Sequence, residues 1–383
     1  MAVHAERRLA SILNSLPLAS AIHRSVACAL KCPFVHLAGG KTVWKVFQAS
    51  LAAASRDIEG HPRGKLFRRL IEYGPHHPDD PKALASDGET ILSDPECGTA
   101  VQFIFSHMVN RFKGELAELL ALEPCIELVQ QLKQDRRVPS EAQVYWGETV
   151  HEPSFSGRPA LRRWAKGADG LLVVEGPRAR LQVLGIAEVK SMRRSSTSIL
   201  SQIDHHVGRL TGGLRLRNRE FLPEAVSITP KQGMRMIFVP SSWKLSRDFR
   251  WEKGHHGGRS MVFPEPCEPP VVTRKEQIGP NVWRISLAWS QEALEQAAYE
   301  MTYRYMAEVG KAVFTGKTMP KGWEGFTPEE AGYNAIKMML YYMPLRYLSA
   351  RQQRLAVKLY NVYAFGYPLG ADSREMMWPE DLA

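Results

Sequence analysis

Asp169, Glu188 and Lys190 are the residues of this chain whose types and spacing could do chemistry together. Asp169 opens the apolar run Gly170-Leu171-Leu172-Val173-Val174, and Glu188 and Lys190 close the run from Leu181 to Lys190. Gly176-Pro177-Arg178 lies between the runs as a turn, because glycine and proline supply the dihedrals of a tight reversal. In an antiparallel hairpin, paired positions are symmetric about the turn centre. The midpoint of 169 and 188 falls between 178 and 179, inside the expected Gly176–Arg180 turn, so Asp169 stands about opposite Glu188. Lys190 is two residues further on and shares the face of Glu188, about 7 Å along the strand. Two facing carboxylates beside Leu171, Val173, Val183 and Ile186 are costly unless something binds them. A hard divalent cation, Mg²⁺ or Mn²⁺, meets that need, since it takes a few carboxylates together with waters and phosphate oxygens. Such an ion can activate water and offset charge on a phosphate, while the lysine orients the water or stabilises the pentavalent state. That is the chemistry of phosphodiester hydrolysis.

The elements that must position these residues can be read from periodicity and breakers. Residues 1 to about 60 read as helices, with Leu9, Ile12, Leu13 and Leu16 at helical spacing. Gly74 to Asp94 is breaker-rich and reads as a linker or exposed loop. Ser93-Asp94-Pro95-Glu96 is a helix start, and the helix continues through Met108, Phe112, Leu116, Leu119 and Leu120. A second helix covers about Pro124 to Gln134. The period then shortens, giving strands at Gln143–Trp146, Gly170–Glu175 and Leu181–Lys190. A helix at Ser198–Leu210 precedes strands at Glu224–Thr229 and Arg235–Val239. Residues 240–280 read as a basic, loop-rich stretch, followed by a strand at Val282–Ala288 and helices at Ser290–Phe314 and Glu329–Tyr363. The expected fold class is α/β, a central mixed sheet flanked by helices. The expected organisation is a helical region over 1–92, a catalytic domain over 93–290 with a basic loop insertion at about 240–280, and a helical region over 291–383.

The Asp169 and Glu188-Val189-Lys190 pattern resembles the PD-(D/E)xK, or restriction-endonuclease-like, nuclease superfamily. Its signature is an aspartate entering one strand and Glu-x-Lys on the next. The resemblance covers roughly residues 95–240, where helix, strand, hairpin, Glu-x-Lys, helix and strand follow in the order of that fold. It implies a further glutamate on the preceding helix in a Gly-x-x-x-Glu setting, which Gly114 and Glu118 match, with Glu115 in reserve. Ala168 stands where the signature has proline, a departure that removes no ligand. Gln202 fits the polar position on the following helix. The implied metal set is Asp169, Glu188, Glu118 and Val189, and the implied catalytic set is Asp169, Glu188, Lys190, Glu118 and Gln202. The implied activity is metal-dependent nuclease action on DNA in restriction, phage defence, mobile-element processing or repair, with prokaryotic defence favoured. An RNA target stays open. The rival from another class is a non-catalytic nucleic-acid-binding or scaffold subunit that keeps the fold, and intact Asp169, Glu188 and Lys190 argue against it.

Charge points the same way. The 383 residues carry 50 Lys+Arg against 40 Asp+Glu, a net charge of +10. That surplus attracts polyanions. Arg247, Arg250, Lys253 and Arg259, interleaved with Trp243, Phe249 and Trp251, suit phosphate contacts and base stacking. No helicase, methyltransferase or target-recognition segment is legible, so specificity or activation is expected from a protein partner or from self-assembly. Gly39-Gly40-Lys41-Thr42 and Gly316-Lys317-Thr318 lack the earlier glycine of a phosphate-binding loop, with Val35 and Lys311 in its place, which disfavours an ATPase. Cys28 and Cys32, near His23 and His36, are better read as apolar-face cysteines than as zinc ligands. Five irregularly placed cysteines, no apolar span and no secretory signal lead us to expect a soluble protein of a reducing cytoplasm, with no membrane partner.

Overall fold

A computed structural model describes residues 12–16, 18–60, 107–147, 168–175, 181–191, 227–228, 233–240, 250–253, 259–262, 271–289, 291–319 and 323–332. The chain divides into two compact units, Met1–Ala53 with Gly114–Leu294, and Ala54–Lys113 with Glu295–Ala383.

The first unit is built on a mixed sheet. In chain order its strands are β1 (Val35–Leu37), β2 (Gln143–Trp146), β3 (Gly170–Glu175), β4 (Leu181–Val189), β5 (Ser227–Ile228), β6 (Met234–Pro240), β9 (Val271–Gly279) and β10 (Val282–Ala288). Seven lie along one path, β1-β2-β3-β4-β6-β10-β9, and β5 pairs with β4. The β2-β3-β4 meander is antiparallel, whereas β1-β2, β4-β6 and β6-β10 are parallel. Thus β1, β2, β4, β6 and β10 all end where β3 and β9 begin. The expected β2 and β3 and the strand at Val282–Ala288 are observed with the same bounds.

Two readings need correction. Residues 1–60 are not helical throughout. β1 lies between α1 (Ala19–Lys31) and α2 (Val43–Gly60) and adds a parallel strand to β2. Its three residues are too few to carry a periodicity that sequence inspection can detect. Residues 240–280 are not simply loop. They contain the antiparallel pair β7 (Arg250–Lys253) and β8 (Arg259–Val262), and also β9, an edge strand of the main sheet. β9 is charged, with Arg274, Lys275 and Glu276, and carries two register irregularities against β10. Charge and bulges are common on edges, because they block pairing with further strands. That polarity is what makes it read as loop.

One face of the sheet is covered by α4 (Leu122–Gln134). Its Gln131 accepts a hydrogen bond from Lys275, and Arg137 just beyond it stacks on Trp283 at 4.6 Å. Trp146 and Phe238 meet edge to face on this side, 6.2 Å apart. Gly170 makes room for the Trp146 ring. A Cβ there would lie 2.5 Å from the Trp146 ring. α1 packs on α4, and its buried Ser25 bridges the junction between α3 (Val109–Leu120) and α4. The Ser25 hydroxyl donates to the Leu119 carbonyl at 2.8 Å and accepts the Glu123 N–H at 3.1 Å. Backbone groups stranded at the break between two helices are thereby satisfied.

The second unit holds the end of α2, the first turn of α3 and most of α5 (Gln291–Phe314). Arg111 pairs with Asp57 at 2.9 Å, Lys113 with Glu295 at 3.5 Å, and Phe112 meets Tyr305 at 6.1 Å. Gly316, at φ +77°, follows the end of α5, where the Lys317 N–H returns to the Phe314 carbonyl at 3.2 Å. Gly316-Lys317-Thr318 is therefore a helix stop, with glycine in the left-handed conformation that such a stop favours.

Candidate active site

The register of β3 on β4 sets the site. Gly170 pairs with Ala187 and Leu171 with Ile186, so the next pair outward is Asp169 with Glu188, as the symmetry of the hairpin predicts. A single irregularity, between Leu172 and Val173, leaves Leu184 as the extra residue. It lies away from the site and so leaves this outer pairing untouched. Directly opposed residues project to the same face, which puts both carboxylates on one side at the end of the sheet. Open α/β sheets commonly bind ligands outside the carboxyl ends of their strands.

Each acidic group is held differently. The Asp169 Oδ2 accepts the Val189 N–H at 2.6 Å, and the Asp169 carbonyl accepts the Gly147 N–H at 3.0 Å. Asp169 thus extends the ladder just past the start of β3, with its side chain fixed by the main chain of β4. Glu188 is nearly sealed, its side chain 3% exposed, and its Oε1 accepts a hydrogen bond from the Lys190 ammonium. Lys190 follows the last residue of β4, and its own N–H reaches the Phe238 carbonyl of β6 at 2.9 Å. Burial works to lower the Lys190 pKa. The charges of Glu188 and Asp169, the hydrogen bond to Glu188 and the charge of Glu118 together outweigh it, so the pKa lies above the ordinary lysine value. Lys190 is therefore cationic at neutral pH. In that form it can stabilise negative charge.

Glu118 comes from α3, half-buried, and acts on the same ammonium. Glu115, one turn earlier, is 4% exposed. The end of the sheet thus brings Asp169, Glu188 and Lys190 together, and the charge of Glu118 on α3 reaches the same ammonium. Val189 presents its N–H to Asp169, while its side chain is buried. Gln202 and Arg247 lie outside the described residues. Arg250, Lys253 and Arg259 are on β7 and β8, where Lys253 pairs with Arg259 in register.

Sequence inspection misses the rest of this face. Glu188 pairs with Ile237, and Ile237 with Arg284, so Arg284 lies in the same cross-strand row two strands away. Its guanidinium stands 3.9 Å from Glu276. Toward the other edge, His36 stacks on Tyr145 at 4.7 Å and bonds Gln143 at 2.6 Å. The alternation of Val282 to Ala288 shows that Arg284 and Ser286 share a face, but only the β6 register shows that it is the face of Glu188.

Among the described residues, no three His, Cys, Asp or Glu side chains stand close enough to hold a metal ion by themselves. Magnesium needs no such cage. It is commonly bound by one or two carboxylates, with waters and substrate phosphate completing the shell. Hard carboxylate donors gathered around a stand-in cation, the Lys190 ammonium, fit an ion of this kind. The cysteines do not join them. Cys32 caps the end of α1 with its N–H on the Ala29 carbonyl, and burial pushes the Cys28, Cys32 and Cys125 thiols up.

Comparison with protein-family models, with curated proteins and with solved structures returned no match for this chain. Among the described residues, no helix is long and apolar enough to cross a membrane.

Proposed function

We propose that the chain is a divalent-metal-dependent nuclease hydrolysing DNA phosphodiester bonds, with a PD-(D/E)xK-like domain and a role in restriction or phage defence. One observation carries the reading: Asp169 and Glu188 in register at the end of the sheet, with Lys190 bound to Glu188 and Glu118 acting on the same ammonium. The order of elements adds support. An antiparallel meander, β2-β3-β4, is followed by a return to a strand parallel to β4, the order the resemblance implies.

Asp169 and Glu188 would hold Mg²⁺ or Mn²⁺, with Glu118 and the main chain of Val189 beside them. The ion, when bound, would lower the pKa of water and polarise the phosphate. The protein contributes the rest. The Val189 N–H keeps the Asp169 carboxylate aimed. Buried Leu171, Ile186, Ile237 and Val239 keep the surroundings apolar, which strengthens each charge interaction. Lys190, held cationic, is placed to offset charge growing on the phosphate. Basic residues of β7, β8 and the segment before them would hold the DNA backbone. Activation or specificity would come from a protein partner or from a second copy of the chain.

The test is incubation of the purified protein with supercoiled plasmid, linear duplex, single strands and RNA, each with Mg²⁺, Mn²⁺ or chelator. Metal-dependent cleavage that chelator abolishes is expected. Binding without cleavage of any substrate would instead favour a scaffold subunit.

A further inference from the structure

We infer that Lys190 occupies the cation position of its own site in the metal-free protein, and that it leaves Glu188 when a divalent ion binds. This rests on the metal-dependent reading of the site and adds an order of events to it. Glu188 is 3% exposed, and a carboxylate at that depth requires a cation or several donors. Lys190 supplies the cation from two residues along the same edge of the sheet.

Asp169 accepts a neutral main-chain N–H and also acts on the same ammonium. Asp169 and Glu188 thus share one monovalent cation at the end of the sheet, and the charge of Glu118 reaches it from α3. A divalent ion matches that set better than an ammonium does, and like charges in so small a space exclude one another.

Lys190 can yield. Its side chain is 17% exposed, and its four-carbon stem has several rotatable bonds above a fixed backbone. Released from Glu188, the ammonium becomes available to a substrate phosphate. The protein is kept intact without metal, because its buried carboxylate always has a counter-charge. The lysine is also freed for catalysis only when the ion is in place.

The experiment is an Mn²⁺ titration by isothermal calorimetry on the full chain without nucleic acid, using wild type, Lys190→Met, Lys190→Gln, Lys190→Arg and Glu188→Gln. The Mn²⁺-induced rise in Tm of each provides a second readout, because a ligand that binds only the folded state raises its stability. Lys190→Met and Lys190→Gln are expected to bind Mn²⁺ at least about tenfold more tightly than wild type. Both should also show the larger rise in Tm. Lys190→Arg, which keeps the charge, should bind no more tightly than wild type. Should the methionine variant fail to fold, the glutamine variant, which can still donate to Glu188, carries the same expectation. Equal or weaker binding by the folded uncharged variant would overturn the inference while leaving the metal site standing. Undiminished binding by Glu188→Gln would overturn it too, since the ion would then sit elsewhere. No Mn²⁺ binding by any folded variant would remove both the inference and the hydrolytic reading.

Discussion

Two buried lysine–glutamate pairs in this molecule are built in opposite ways. In the second unit the lysine is sealed and the acid reaches water: Lys113 is 2% exposed and Glu295 30%. At the end of the sheet the acid is sealed and the lysine is the more accessible member, at 3% for Glu188 and 17% for Lys190. The first arrangement neutralises a cation that helix packing has buried, and the solvated acid can adjust. The second buries negative charge and adds Asp169 and Glu118 to it. Excess negative charge where strands end is costly to maintain unless it serves a ligand. On the proposed reading, the contrast separates an ion pair that supports packing from one that would support chemistry.

The sharpest way to break the comparison is to remove each lysine in turn. Lys190→Met should lower metal-dependent cleavage by about 10²–10³-fold or more, the loss typical of a preorganised electrostatic group. Lys113→Met should leave cleavage per folded molecule within about twofold, because Lys113 belongs to the second unit and the Glu295 left behind, 30% exposed, can be solvated. Equal losses in the two variants would erase the distinction. Removing the acid reverses the ranking in stability. Glu295→Ala leaves Lys113 buried without this counter-charge and should cost on the order of 3 kcal/mol in a denaturant titration.

A smaller effect is expected beneath the site. Gly170→Ala places a methyl group against the Trp146 ring, next to Asp169, and overpacking of this kind costs roughly 1–3 kcal/mol. Both Tm and cleavage should fall, since the hairpin that aligns the carboxylates must shift. Gly114→Ala on α3 is the counterpart, since nothing lies within 4 Å of its added Cβ. It should raise stability by about 0.5–1 kcal/mol through helix propensity. If Gly114→Ala destabilises the protein, that glycine has a role that its open surroundings do not explain.

The basic strands probe the comparison from the substrate side. Replacing Arg247, Arg250 and Lys253 with alanine should weaken DNA binding for all sequences alike. It should also flatten the salt dependence of log affinity by roughly 0.9 for each phosphate no longer neutralised. An unchanged slope would move the DNA surface elsewhere.

Much of the site is legible in the sequence because its geometry is local. Hairpin symmetry alone places Asp169 opposite Glu188, and Glu118 enters through the Gly-x-x-x-Glu setting that the resemblance implies. What sequence could not supply depends on partners distant in the chain. β1 is three residues long and is a strand only because β2 lies beside it. β9 has the composition of a loop and is a strand because β10 pairs with it. Arg284 reaches the row of Glu188 only through the register of β6. Ser25 looks like any helix serine until the α3–α4 junction, nearly a hundred positions later, presents its backbone groups to it.

The most direct measurement compares cleavage of one labelled duplex by wild type and by Glu188→Gln, in Mg²⁺ and in chelator, with folding checked by circular dichroism. Cleavage by wild type in Mg²⁺ alone is expected, with loss of it on exchange of this one buried oxygen for an amide nitrogen. Cleavage by a folded Glu188→Gln variant at the wild-type rate, or cleavage that persists in chelator, would contradict a metal-dependent site built on Glu188.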